Sequence, residues 1–203
     1  MSISSPSEAP EGSFAKFFRA SVFLLVFFSV VFYGAELVAR SREEHFRLYF
    51  TWEREIPFFP PAYLVYFSVV LLPFLVPVLL RSGERIRIWK KRMTIAIAVA
   101  GIIFLLFPAE TGYLPAAAGD WFWVSQLTPT LTGRHNLVPS LHVGLMIIVM
   151  YSVWPHLAVR GRALLSAWGV ALALSTLFTH QHHVLDVVTG VLLGFLVCTR
   201  VSA

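Results

Sequence analysis

Apolar runs dominate the chain and alternate with short polar segments. Six of them have about the length a bilayer demands of a helix, near residues 18–39, 58–80, 93–108, 140–158, 162–179 and 183–200. The last part of this pattern carries two polar signatures at the edges of apolar runs. Pro139-Ser140-Leu141-His142 opens the fourth run, and His182-His183-Val184-Leu185-Asp186 opens the sixth. His142 and His182 stand 40 residues apart. At about 1.5 Å per helical residue that is roughly 60 Å, two crossings of a ~30 Å hydrocarbon core. A chain that crosses twice returns to its starting side, so the two signatures are expected at one membrane face.

Composition supports the same class. Hydrophobic residues make up 57% of the chain and charged residues 13%, against about 45–50% and ~25% in soluble proteins. The expectation is an all-α polytopic membrane protein: a six-helix bundle over residues 14–203 with a disordered cytoplasmic tail at 1–13, rich in Ser, Pro, Glu and Gly. The first run follows Lys16 and Arg19 as a signal peptide would, but Tyr33 and Leu37 spoil the small-residue cleavage pattern, which predicts an uncleaved span. Cys198 is the sole cysteine, so an internal disulfide is excluded, and no CxxC pattern offers a thiolate metal site.

The net charge of +5 lies between the runs, which removes the case for nucleic acid and sets an orientation instead. Arg81, Arg85, Arg87, Lys90, Lys91 and Arg92 face one acid, Glu84, between runs two and three; Arg160 and Arg162 stand unopposed between runs four and five. Both turns are expected in the cytoplasm, and the signatures on the outer face of a plasma or inner membrane. The segment 40–57 is discordant, with Arg40, Arg42, Arg47 and Arg54 matched by Glu43, Glu44, Glu53 and Glu55. Trp121, Phe122 and Trp123 suit an interfacial anchor. Gly190 and Gly194 form a GxxxG step, which points to close helix packing.

The signatures carry candidate chemistry. His182 and Asp186 are spaced i, i+4, within reach of one hydrogen bond; a carboxylate on one ring nitrogen fixes the tautomer and leaves the other nitrogen as base or nucleophile. His183, at i, i+3, could reach the same carboxylate, and spacing does not choose between them. Ser140 fits a helix N-cap, and a helix start offers free N–H groups to phosphate, where His142 could hand a proton to a leaving oxygen.

With these residues the chain resembles the type 2 phosphatidic acid phosphatase (PAP2) superfamily of membrane lipid phosphatases and phosphotransferases. That family's middle motif is Pro-Ser-Gly-His, matched by Pro139-Ser140-Leu141-His142. Its last motif is Ser-Arg, five residues, His, three residues, Asp, matched by Ser175-Thr176, five residues, His182, three residues and Asp186. The resemblance implies His182 as a phosphohistidine-forming nucleophile, Asp186 as its orienting partner, His142 as the acid, and Ser140 as a holder of phosphoryl oxygens. The chain departs from these motifs at the glycine and at the family's cations: Leu141 replaces the glycine, Thr176 replaces an arginine, and around Pro115 the first motif's lysine and arginine positions hold Phe107 and Leu114. Arg134 and His135 are candidate replacements, with His183, His180 and the arginines at 40–54 behind them. The pattern looks more like the branch containing inositol phosphorylceramide synthases, which transfer a headgroup. The implied partners are a lipid phosphate and the membrane, with no cofactor; oligomeric state is not fixed. A lapsed lipid-binding scaffold, or a metal or haem protein using His180, His182 and His183, are the competing classes.

Overall fold

The computed structural model describes residues 13–80, 82–114 and 119–201. Within them the helices are α1 (Ser13–Arg40), α2 (Pro60–Leu80), α3 (Gly83–Leu106), α4 (Phe122–Thr132), α5 (Leu141–Val153), α6 (Val159–Phe178) and α7 (Val184–Arg200). Among the described residues there is no strand, only one parallel bridge between Phe46 and Ala109. The expected tail at 1–13 lies outside the described residues except for Ser13, which already belongs to α1.

α3 forms the middle of the bundle. Trp89, Met93, Ala96, Ile97, Ala100 and Phe104 recur at helical spacing and are almost wholly buried. This face continues N-terminally to Ile86, so the helix starts ten residues before the apolar run expected at 93. The basic residues there ride its outer side, with Lys90 Nζ 3.9 Å above the Phe23 ring. α2 is broken into α and 3-10 turns, Tyr63–Phe67, Ser68–Leu71 and Leu72–Leu80. Pro73 and Pro77 cannot donate to the ladder. The Pro73 carbonyl, deprived of its partner at Pro77, accepts the Ser21 hydroxyl of α1 instead.

The outside of the bundle is apolar. Val26, Val30, Leu37, Leu64, Leu75, Val78, Ile102, Leu164, Val170 and Phe195 are all exposed, a belt far larger than a water-facing monomer carries. This is an all-α membrane bundle. Phe18–Arg40, Pro60–Leu80 and Val159–Phe178 are long and apolar enough to cross a bilayer. α3 carries Lys90, Lys91 and Arg92 within its length, while α5 and α7 are shorter than a full crossing.

The two ends of the bundle differ. At one, Arg85 lies 3.4 Å from His156, and Arg92 donates to the carbonyls of Cys198 and Val201, capping α7. The opposite end holds both polar signatures. α5 and α7 bring them together, packed so closely that a Cβ on Gly190 would lie 2.5 Å from the Ser140 carbonyl oxygen, and one on Gly194 2.6 Å from that of Gly144. The GxxxG step is therefore a packing device that sets one signature against the other.

Candidate active site

The second signature is built at the turn from α6 into α7. α6 ends at Phe178, and His180 takes a left-handed conformation (φ 57°) that side chains other than glycine rarely adopt. Its ring holds it there: it stacks on Tyr113 at 4.0 Å, and Nε2–H donates to the Ile56 carbonyl. The chain then folds back, and the N–H groups of Gln181 and His182 both donate to the Thr176 carbonyl at 3.0 Å.

At the start of α7 two carboxylates take up N–H groups that no helical turn could satisfy. Asp186 Oδ2 accepts the His183 N–H at 2.8 Å, and Glu53 Oε2 accepts the Val184 N–H at 2.8 Å. Asp186 Oδ2 also lies 3.2 Å from Nδ1 of His182. A carboxylate there places the proton on Nδ1 and leaves Nε2 with its lone pair. His182 precedes the helix, so the pair closes across the helix entrance and not along a helical face.

The first signature meets it directly. The Ser140 N–H donates to the backbone carbonyl of Asp186 at 2.9 Å. Ser140 is wholly buried with its hydroxyl unpartnered among the described residues, and it caps α5 through backbone geometry alone. His142, two residues on, stacks on Tyr66 at 4.1 Å, and its ring centre is 5.7 Å from that of His182. Both histidines line one cavity, about 470 Å³ including its open mouth. Apolar side chains of three helices form much of the remaining wall: Phe28 and Phe32 of α1, Val69 of α2, and Leu141 and Leu145 of α5. Thr132, Asn136 and Gln181 add polar groups.

The other expected substrate contacts are placed elsewhere. His183 does not line the cavity. Its Nδ1–H donates to Glu53 Oε2 at 3.0 Å and its Nε2 accepts the Gly112 N–H at 3.0 Å, so both ring nitrogens are committed. His135 stacks on His45 and bonds Glu36 through Nδ1, while Arg134 is exposed beside the cavity's Gly133. Arg40 pairs with Glu36, and Arg47 with Glu110. Among the described residues, no lysine or arginine lines the cavity. His180 and the two histidines of the second signature point at three different partners, Ile56, Asp186 and Glu53.

Sequence reasoning passed over two buried acids. Glu36, inside α1, accepts the backbone N–H groups of Arg134 and His135 at 3.0 and 3.1 Å and so holds the loop at the cavity's edge. An acid within an apolar run is itself a signal. Glu53 is wholly buried, yet in the sequence it is one of four acids balancing four arginines, and nothing local sets it apart.

Comparison with known proteins adds one finding. A family model described as the PAP2 superfamily matches residues 56–199, which include both signatures. No curated protein and no solved structure matches the chain. The match covers well over half of the chain and includes the two histidines and the aspartate that the fold brings together: the chain belongs to the PAP2 superfamily.

Proposed function

We propose that this chain is a lipid phosphatase or phosphotransferase that cleaves a lipid-linked phosphate at the outer face of the membrane through a phosphohistidine on His182. The observation that carries the proposal is the His182–Asp186 pair facing His142 across one cavity. Nε2 of His182 attacks phosphorus, and the bond from phosphorus to the leaving oxygen breaks. Asp186 stabilises the positive charge that develops on the ring, and His142 supplies the proton the leaving alcohol needs. A second alcohol, or water, then attacks phosphorus, the N–P bond breaks, and His142 takes that proton back.

The lack of cations along the cavity bears on the substrate. A phosphoryl group spreads negative charge over its free oxygens, and arginine or lysine clamps normally balance it. Here the available donors are the free N–H groups at the start of α5, with Arg134 outside as a capture charge; Ser140 is buried behind the cavity wall and does not line it. That set suits a phosphodiester, with one charge, better than a monoester with nearly two. The favoured reading within the class is therefore headgroup transfer from a phosphodiester donor to a lipid alcohol, as in the branch the sequence resembles. The outward orientation rests on the basic turns at the opposite end, and α3, α5 and α7 are taken as crossing helices.

The test is headgroup or phosphate release from a panel of lipid mono- and diesters by purified protein in detergent, against His182→Ala. Activity lost in the variant supports the proposal; equal activity in both proteins removes it.

A further inference from the structure

Glu53 lies three residues ahead of the family-matched segment, on a short 3-10 turn (Thr51–Glu55) outside the bundle helices. It is nevertheless wholly buried, 130 residues away in sequence from the ring it holds. Every contact of its carboxylate is with a donor: Oε1 takes the Phe50 N–H at 2.9 Å, and Oε2 takes the Val184 N–H at 2.8 Å and the His183 Nδ1–H at 3.0 Å. The Gly112 N–H on Nε2 completes the arrangement, fixing His183 as the neutral Nδ1–H tautomer. Tyr49 and Tyr113 sandwich that ring at 4.7 and 4.3 Å, leaving it no room to turn.

The consequence falls on the next residue. The peptide joining His182 to His183 is held on one side by Asp186, which accepts the His183 N–H, and on the other by the Tyr113 hydroxyl, which reaches the His182 carbonyl at 3.4 Å. The side chain of His183 is therefore an anchor for the peptide that carries the nucleophile, and Glu53 is what the anchor is fixed to.

We propose that Glu53 is a positioning residue for phosphoryl transfer: acting through the neutral ring of His183, it sets the 182–183 peptide so that Nδ1 of His182 meets Asp186 and Nε2 faces the cavity. This rests on the phosphohistidine reading of the same site. A carboxylate is required because all three of its contacts are donors. In E53Q the amide nitrogen would confront either the Phe50 N–H or the pair on Oε2, a donor facing a donor.

The experiment compares E53Q, H183N, H183Q and H182A with the parent protein, as full chains in detergent, measuring kcat, KM and melting temperature on the best substrate of the lipid panel. Asparagine puts its amide nitrogen near the place of Nδ1 and keeps the donor to Glu53; glutamine reaches towards the place of Nε2 and loses it. E53Q and H183Q are expected to lose roughly 10- to 100-fold in kcat with KM within about twofold, the size of loss that a small misplacement of a reacting group causes. H183N is expected to keep most of the activity. Equal activity of H183N and H183Q, or a kcat for E53Q within about twofold of the parent, overturns the proposal. Where E53Q does not give folded protein, the H183N and H183Q pair decides. H182A separates the two levels: if it is inactive while the Glu53 and His183 variants behave as the parent, only the positioning role falls; if it is as active as the parent, the phosphohistidine reading falls.

Discussion

Replacing Gly190 with alanine should separate the two halves of the site without altering the chemistry of any catalytic side chain. The added Cβ would stand 2.5 Å from the Ser140 carbonyl oxygen and 3.3 Å from the Ser140 carbonyl carbon and Cβ. Backbone cannot swing aside as a side chain can. α5 must retreat from α7 by about 0.5 Å to escape outright overlap, and by nearly 1 Å to reach ordinary contact. That shift falls on the strand of contacts joining Ser140 to Asp186 and His142 to His182. A misplacement of about 1 Å costs on the order of 10²-fold in rate, or about 2.7 kcal/mol of transition-state stabilisation. Overpacking itself adds about 1–3 kcal/mol of destabilisation. The assay is turnover of the lipid substrate beside a thermal melt in detergent, with Gly34→Ala as the matched control. Gly34 has nothing within 4 Å of an added Cβ, so the same chemical change there should leave rate and melting temperature unaltered or slightly raise the latter. Full activity in Gly190→Ala would refute the idea that the glycine contact sets the distance between the signatures.

Asp186→Asn removes the charge that holds the Nδ1 proton and should lower kcat by about 10²- to 10⁴-fold, the range seen when an orienting carboxylate is neutralised; unchanged kcat would show that the pair is structural. His142→Ala should cost a similar factor on lipid alcohols, but much less on a nitrophenyl ester whose leaving group needs no proton, so an equal loss on both substrates would deny His142 the role of acid. Arg134→Ala should raise KM several-fold and leave the melt alone, since an exposed side chain changes stability by no more than about 0.5 kcal/mol. Glu36→Ala, by contrast, removes the acceptor of the Arg134 and His135 N–H groups, each part-buried hydrogen bond contributing about 1 kcal/mol, and should appear first as a lowered melting temperature.

Much of this was legible in the chain because it is local. The contact between His182 and Asp186 follows from four residues of spacing, although the structure closes it across a helix entrance. The meeting of His142 with His182 was expected from counting residues against bilayer thickness; the structure brings the two rings together through the close packing of α5 on α7. The start of α3 was misplaced since its first turns keep a buried stripe of Ile86 and Trp89 under a coat of basic residues, and hydropathy averages the two. The carboxylates were the larger omission. Glu53 reaches His183 over 130 residues of chain, and Glu36 reaches His135 over 99; no periodicity encodes either. His183 was expected at the substrate as a stand-in for a missing family cation, whereas its ring is bonded to Glu53 and does not line the cavity. Arg40 and Arg47 were possible phosphate clamps by charge, and each is paired to a glutamate.

The central claim is that phosphorus becomes bonded to His182. Purified protein is mixed with a ³²P-labelled lipid donor, quenched within one turnover in alkali, where phosphohistidine survives, and digested to locate the label. The account predicts label on the peptide carrying His182 in the parent protein, its retention in His142→Ala when an activated donor is used, and none in His182→Ala. Turnover without label, or label that persists in His182→Ala, would contradict it.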